Sequence, residues 1–233
     1  MQYVMSDIHG DLAHFRRMLK KIGFLPPDKL YILGDVLDKG CEHLRMLAFV
    51  RENPNMLLIK GNHEYLCERY LAGTVSGELW DKCGGGGTRR EVDLLSREEK
   101  EELLDYLRGL PVYWKVEAAG QEYFLTHSGY HADFPVLCPD KIRVDIEASV
   151  RAAVESDQER YLFSDDIHYI PAGLCFDKKI IVGHYPTIFL EDYHQANIFH
   201  GKKYIDIDTG NECRGEGGCL ACLCLDSGRE FYV

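Results

Sequence analysis

No run of apolar residues in this chain approaches the roughly 20 needed to cross a bilayer. The amino terminus also lacks a basic stretch leading into a short apolar segment, and β-type residues begin almost at Met1. The chain therefore reads as an unprocessed, cytoplasmic protein of bacterial style, with no membrane partner. Internal repeats and low-complexity linkers are missing too, and 233 residues are too few for two domains of ordinary size. One domain spanning 1–233 is the expectation. Positive charge is in deficit: 27 lysines and arginines face 38 acids, for a net charge of −11. Such a surface does not attract nucleic-acid backbones as bulk partners. It leaves a phosphate substrate open, because bound dications dominate the charge of their own site.

A pair of CxxC knuckles is also lacking. Cys41, Cys67, Cys83, Cys138 and Cys175 stand alone and read as free thiols of a reducing compartment. Cys213, Cys219, Cys222 and Cys224 are close enough to raise a structural zinc, but they form no pair of CxxC knuckles. If Cys219 to Leu225 is a strand, Cys222 and Cys224 face one way and Cys219 the other.

What is present is a recurring grammar: an apolar run, then a polar residue beside a glycine. Tyr3 to Met5 precedes Ser6-Asp7-Ile8-His9-Gly10, and Leu30 to Leu33 precedes Gly34-Asp35. Met56 to Ile59 precedes Lys60-Gly61-Asn62-His63-Glu64. Tyr123 to Leu125 leads to Thr126-His127-Ser128-Gly129, and Ile180 to Val182 leads to Gly183-His184. These runs read as buried strands. Leu12, Phe15, Leu19 and Ile22 recur at helical spacing, with Gly23 placed to stop the helix; Leu44, Leu47 and Ala48 mark a second helix. Strands alternating with helices imply an α/β fold with parallel strands and crossover connections. Ser96 with Glu99 reads as a capping box opening a helix that runs to about Arg108. Beyond Pro111 the strands come closer together, which predicts more antiparallel pairing. Gly73 to Arg90, with its Gly84–Gly87 run, and Tyr130 to Pro171 read as long loops, either lids or flexible insertions.

In an open α/β sheet, ligands gather outside the carboxyl ends of the strands. Five strand ends here carry Asp7 with His9, Asp35, Asn62, His127 and His184. Asp7 and His9, two apart in an extended segment, would point to one side. Carboxylates, imidazoles and an amide carbonyl without thiolate suit hard or borderline dications. Glycines beside them permit tight turns and close approach to a bound group.

Asp7-Ile8-His9-Gly10, Gly34-Asp35-Val36-Leu37-Asp38-Lys39-Gly40 and Gly61-Asn62-His63-Glu64 together resemble the signature of the calcineurin-like metallophosphoesterases. Within that superfamily they are most similar to the phosphoprotein-phosphatase branch, with its bacterial and phage Ser/Thr phosphatases and symmetrical dinucleoside tetraphosphatases. Thr126–Gly129, Gly183–Thr187 and Ile205–Gly210 resemble the remaining blocks in the same order, so the likeness spans nearly the whole chain. It implies a four-layer α/β/β/α sandwich around a central pair of mixed sheets. It also implies two divalent ions, manganese first, with iron, zinc or nickel as alternatives. Asp7 and His9 would hold one ion, Asp35 would bridge both, and Asn62, His127 and His184 would complete the second. A hydroxide generated at the ions would attack phosphorus in line. His63 would then protonate the leaving group as general acid, oriented by Asp38.

The chain departs from the family where arginine is usual, carrying Lys39 and Lys60 instead, without the bidentate fork that matches phosphate. Lys39 is the first candidate for a substrate phosphate contact, and Lys60 reads as structural. Arg89 and Arg90, just past the glycine run, could supply a guanidinium from a mobile loop. Asp206 and Asp208 read as structural strand-end residues. The leading function is a phosphomonoesterase acting on phosphorylated Ser/Thr protein side chains, with dual specificity as a variant, or on a small phosphoester. Hydrolysis of dinucleoside polyphosphates or other nucleotides uses the same core and is the alternative. A non-catalytic phosphate-binding regulator is a third reading, opposed by the presence of every ligand and of His63.

Overall fold

The computed structural model describes all residues, 1–233. Its strands are β1 (Gln2–Met5), β2 (Lys29–Ile32), β3 (Met56–Leu58), β4 (Tyr113–Ala118), β5 (Gln121–Thr126), β6 (Arg143–Val144), β7 (Cys175–Phe176), β8 (Lys179–Val182), β9 (Phe199–His200), β10 (Tyr204–Asp206), β11 (Ala221–Cys224) and β12 (Glu230–Tyr232). Its helices are α1 (Leu12–Ile22), α2 (His43–Arg51), α3 (Asn62–Leu71), α4 (Gly77–Lys82), α5 (Gly86–Asp93), α6 (Arg97–Arg108) and α7 (Ile146–Leu162).

Two five-stranded sheets form, in the orders β12-β11-β1-β2-β3 and β4-β5-β8-β10-β9. In the first, β1, β2 and β3 are parallel; in the second, β5, β8 and β10 are. Antiparallel pairing flanks these parallel trios, at β1–β11 and β11–β12 and at β4–β5 and β9–β10. Every antiparallel pair thus involves a strand beyond Pro111, as expected, although β5, β8 and β10 there are parallel. A right-handed crossover lets strands distant in sequence lie side by side in parallel.

The period-2 alternation of strand residues decides the layering. Met5, Leu30, Ile32 and Leu58 face an outer core closed by Leu12, Phe15 and Met18 of α1, Met46 and Val50 of α2, and Leu103 and Leu107 of α6. Their neighbours Val4, Tyr31 and Leu33 turn inward to meet Leu125, Ile181 and Ile205 of the second sheet. Phe124, Ile180 and Val182 turn out again, against Ile146, Val150 and Ala153 of α7. The result is helix, sheet, sheet, helix. Each fully buried aliphatic or aromatic side chain contributes roughly 1.5–3 kcal/mol by leaving water.

Local signals place the helices as expected. Asp11 caps α1 through His14 N (3.1 Å), and Gly23 ends it at φ 65°. Ser96 and Glu99 form the reciprocal capping box of α6. Two expected loops prove to be helical. Gly73–Arg90 folds into α4 and most of α5, and Tyr130–Pro171 contains the 17-residue α7, broken at Asp157 where the backbone is extended. The glycine run reflects packing: a Cβ on Gly85 would lie 2.1 Å from the Trp80 ring. No helix is long and apolar enough to cross a membrane.

Candidate metal and phosphate site

The parallel strands end on a common edge, and the expected residues converge there. Asp7 and His9 follow β1, Asp35 follows β2, Asn62 opens α3 after β3, His127 follows β5 and His184 follows β8. The way they converge differs from expectation. Asp7 and His9 are not extended; both lie in the left-handed region, at φ 50° and 51°. Asp35, Asp38, Lys39 and His184 do the same, at 55°, 65°, 60° and 78°. Non-glycine residues reach that region at a cost of about 1–2 kcal/mol each, so the surroundings must over-determine it. Three of the five strand ends, those carrying Asp7 with His9, Asp35 and His184, thus turn sharply off their strands.

Glu64 supplies much of that determination. Its fully buried carboxylate accepts from the backbone N–H of Asp35 (2.7 Å), Val36 (3.0 Å), Leu37 (3.2 Å) and Gly61 (3.0 Å). Asp35 in turn accepts from His63 N at the start of α3 (3.1 Å). A side chain at residue 61 would place its Cβ 2.1 Å from Asp35 Oδ1, so only glycine allows this approach. Glu64 belongs to a quoted motif, yet its role was not read from the sequence; its position three residues after Gly61 was the available signal.

The donor chemistry of the cluster is one-sided. His127 Nδ1 faces the Leu33 carbonyl at 2.7 Å, and a carbonyl only accepts, so Nδ1 carries the proton. Nε2 therefore presents a lone pair, 2.8 Å from Asn62 Oδ1 and 3.5 Å from Asp35 Oδ2. His184 Nδ1 stands 3.0 Å from the same Asn62 oxygen and 3.1 Å from His127 Nε2. His9 repeats the pattern: Nδ1 donates to the Leu37 carbonyl (2.9 Å). Its Nε2 is buried without a partner, 3.9 Å from both Asp7 Oδ1 and Asp35 Oδ2. Lone pairs on His9 Nε2, His127 Nε2 and the Asn62 and Asp35 oxygens thus gather in one buried space beside His184. This set of oxygen and imidazole donors without thiolate fits divalent ions. Two overlapping clusters result, His9 with Asp35 and His63, and Asp35 with His127 and His184. Asp35 is common to both. Burial is the first cause pushing His9, His127 and His184 below the ordinary imidazole value, and burial, then Asp7 and Glu64, lifts Asp35 well above its own. Each shift disfavours charge in a dry site, which a bound dication would reverse for the carboxylate.

Beside this cluster, His63 Nδ1 lies 2.8 Å from Asp38 Oδ2 while its Nε2 faces Asp35 Oδ2 at 3.8 Å. Asp38 is fully buried and held on both oxygens: Trp80 Nε1 donates to Oδ2 (2.7 Å) and Thr88 Oγ1 to Oδ1. Trp80 and Thr88 come from α4 and α5. Nothing in the sequence announced either, because the contacts span 42 and 50 residues.

The expected phosphate contacts fare unevenly. Lys39 reaches the cluster, but its ammonium is paired with Glu212 Oε1 at 3.0 Å. Burial pulls the Lys39 ammonium down, and the carboxylates of Glu212 and Asp35 outweigh this and hold it above the ordinary lysine value. Lys60 is buried against Glu68 (2.6 Å), a structural pair. Arg89 and Arg90 do not sit on a mobile loop. They lie in α5, where Arg89 forks onto Asp81 (2.8 and 2.7 Å) and reaches Asp93 (3.2 Å). Arg90 is exposed on the same helix near Asp81. Neither guanidinium joins the cluster, because the glycine run is packed against Trp80 and His43 and fixes the helix. The C-terminal cysteines do not form a site. Cys222 and Cys224 are buried in the outer core, and Cys219 turns away toward Thr209.

The Calcineurin-like phosphoesterase family model matches residues 3–212. Serine/threonine-protein phosphatase 2 of Salmonella typhimurium (strain LT2) is 30% identical over 217 residues, covering 91% of this chain and 88% of that protein. The symmetrical bis(5'-nucleosyl)-tetraphosphatase of Erwinia tasmaniensis is 26% identical over 148 residues; the match covers 63% of this chain and spans about half of that relative, 50% of its length. Among solved structures, one assigned as a diadenosine tetraphosphatase superposes with a TM-score of 0.64 at 15% identity, covering 100% of this chain and 92% of that one. At that identity the likeness concerns the fold.

Proposed function

The chain belongs to the calcineurin-like phosphoesterase family, and from that premise we propose that it hydrolyses phosphate monoesters, phosphorylated protein side chains first among them. The observation that carries the reading is the buried convergence of His9, Asp35, Asn62, His127 and His184 beside the His63–Asp38 pair. Asp7, His9 and Asp35 would hold one divalent ion, and Asp35, Asn62, His127 and His184 the other. Two ions so held supply Lewis-acid polarisation of phosphoryl oxygens and lower the pKa of water. The chain's own residues do the rest. His63 holds a proton at Nε2 and passes it to the departing alkoxide oxygen. Asp38 keeps the ring in register and balances its positive charge when protonated, and Trp80 and Thr88 keep Asp38 from turning away. Manganese is the ion we assign first, on oxygen and imidazole donors without thiolate.

A cleft bordered by α3, α4 and α7 supports a protein substrate. It measures about 530 Å³ and is lined by Leu66, Leu79, Cys83 and Phe163 with Asp157, Glu159 and Arg160. Leu66 lies one turn beyond His63 on α3. Cys83 precedes Gly84, whose carbonyl accepts from Lys39 N (3.1 Å), and Phe163 follows Leu162, whose carbonyl accepts from Ser128 Oγ (2.7 Å). Arg160 is paired with Asp133. Apolar and acidic walls suit aliphatic and basic peptide side chains and offer no free cation to a second phosphate. The named tetraphosphatases among the relatives keep dinucleoside polyphosphate hydrolysis as the second reading.

The test is a substrate panel. Protein stripped of metal and resupplied with manganese is assayed on p-nitrophenyl phosphate, phosphoserine, phosphothreonine and phosphotyrosine peptides, and diadenosine tetraphosphate. Peptide turnover ahead of the dinucleotide supports the proposal. Preference for the dinucleotide by orders of magnitude replaces it with the second reading, and no turnover with manganese, nickel, iron or zinc removes both.

A further inference from the structure

Lys39, the cation that reaches the cluster, has a carboxylate partner, and that partner stands inside the site. Glu212 belongs to the 3-10 turn Asn211–Glu216, entered through Gly210 at φ 76°. Asn211 ties this turn to the metal-ligand loop by donating from Nδ2 to the carbonyl of Ile8 (2.9 Å), between Asp7 and His9. Glu212 Oε1 then lies 3.0 Å from Lys39 Nζ and 3.9 Å from His9 Nε2. Its other oxygen is buried with no hydrogen-bond partner. Lys39 is the lysine whose charge bears on His9, Asp35, His127 and His184 alike. Lys60, Arg89 and Arg214 are engaged elsewhere, with Glu68, with Asp81, and with Asn211 and Asp11.

We propose that Glu212 is a specificity-determining residue, whose carboxylate holds Lys39 and competes with an incoming phosphoryl group for that ammonium. The inference rests on the phosphoesterase reading above and deepens it. A single phosphoryl group must draw Lys39 away from Glu212 or share it. A polyphosphate chain carries more negative charge than one phosphoryl group and therefore loses more when Glu212 withholds the Lys39 ammonium. Glu212 acts through Lys39 and is a positioning residue rather than a catalytic one.

The proposal predicts a gain, which a merely structural role does not produce. Manganese-loaded wild type, Glu212→Gln and Glu212→Ala are titrated with inorganic phosphate and with tripolyphosphate by calorimetry, and the inhibition constants of both are measured against p-nitrophenyl phosphate. Releasing the Lys39 ammonium from its carboxylate is expected to tighten inorganic phosphate about five- to tenfold, and tripolyphosphate by a larger factor. KM for p-nitrophenyl phosphate falls more than kcat changes. In a Lys39→Met background the same substitution gives a smaller gain. Unchanged or weaker phosphate binding in both Glu212 variants overturns the proposal. So does an equal gain without Lys39, which would make Glu212 a direct repellent. Loss of bound manganese in Glu212→Gln, read by elemental analysis, also overturns it and assigns the carboxylate to the metal. If wild type neither binds phosphate nor hydrolyses any ester, the phosphoesterase reading fails; if it does both and the variants match it, only the role of Glu212 fails.

Discussion

Replacing Glu64 with glutamine probes the device that holds the ligand loops. Oε2 accepts from Asp35 N and Gly61 N, and Oε1 from Val36 N and Leu37 N. A glutamine of the same shape keeps one oxygen and sets an NH₂ group against the other pair, so two buried N–H donors lose their acceptor whichever way the amide turns. An unsatisfied buried donor costs about 1–3 kcal/mol. Removing a buried charge recovers part of that, because burial already pushes the Glu64 carboxyl above its ordinary range. The net loss is expected to be roughly 3–4 kcal/mol, or about 6–16 °C in Tm for a chain of this size. Thermal and urea unfolding of the metal-free proteins measure it. A second readout separates this from general damage: the donors released belong to the loops of Asp35 and Asn62, so manganese affinity is expected to fall about 10–100-fold. A variant within about 1 kcal/mol of wild type, binding manganese normally, would refute the idea that this carboxylate sustains the left-handed turns.

Three further expectations follow from the same geometry. Asp38→Asn should lower kcat on a poor leaving group such as a phosphoserine peptide by about 100-fold, and far less on p-nitrophenyl phosphate. Gly85→Ala places a Cβ 2.1 Å from the Trp80 ring, and overpacking costs typically 1–3 kcal/mol; lower Tm and altered tryptophan fluorescence report it. His168, only 5% exposed and beside the Tyr204 hydroxyl (3.0 Å), is pushed down by burial to about 4 from 6.5. Its depressed value stabilises the fold above pH 6.5 and loses that effect as pH falls toward 4, a contribution of roughly 3 kcal/mol. Wild type should therefore lose stability relative to His168→Gln across that interval in a pH series of unfolding curves; parallel curves would remove the assignment.

The parts of this protein legible from residue order are those governed by short-range rules. Strand runs announce themselves because both faces are buried, leaving near-continuous apolar stretches at Tyr3–Met5, Leu30–Leu33 and Ile180–Val182. The caps of α1 and α6 follow from side chains three residues from their partners. The cluster was legible for a similar reason: metal-type ligands placed just after parallel strands are delivered to one edge whatever the intervening helices do. Local rules failed where composition was read without its neighbours. Four glycines in a row suggested mobility, but Gly85 and Gly87 make room for Trp80 and His43, and α5 is fixed there. The 17-residue α7 was missed although Asp145 caps it and Ile146, Val150 and Ala153 line one face.

By itself the sequence determined which atoms can hold ions and protons, since donor type and placement after a strand are properties of a few adjacent residues. Only the tertiary structure decided how those atoms face one another. The left-handed turn at Asp35 is strained alone and persists because Glu64 and Gly61 hold it, and those at Asp7 and His9 donate their N–H groups to the Gly34 and Asp35 carbonyls. Thr88, Trp80 and Glu212 reach the site across 50, 42 and 173 residues, where no local pattern extends. The same long-range packing ties Arg89 to Asp81 and leaves Lys39, shared with Glu212, as the cation at the centre.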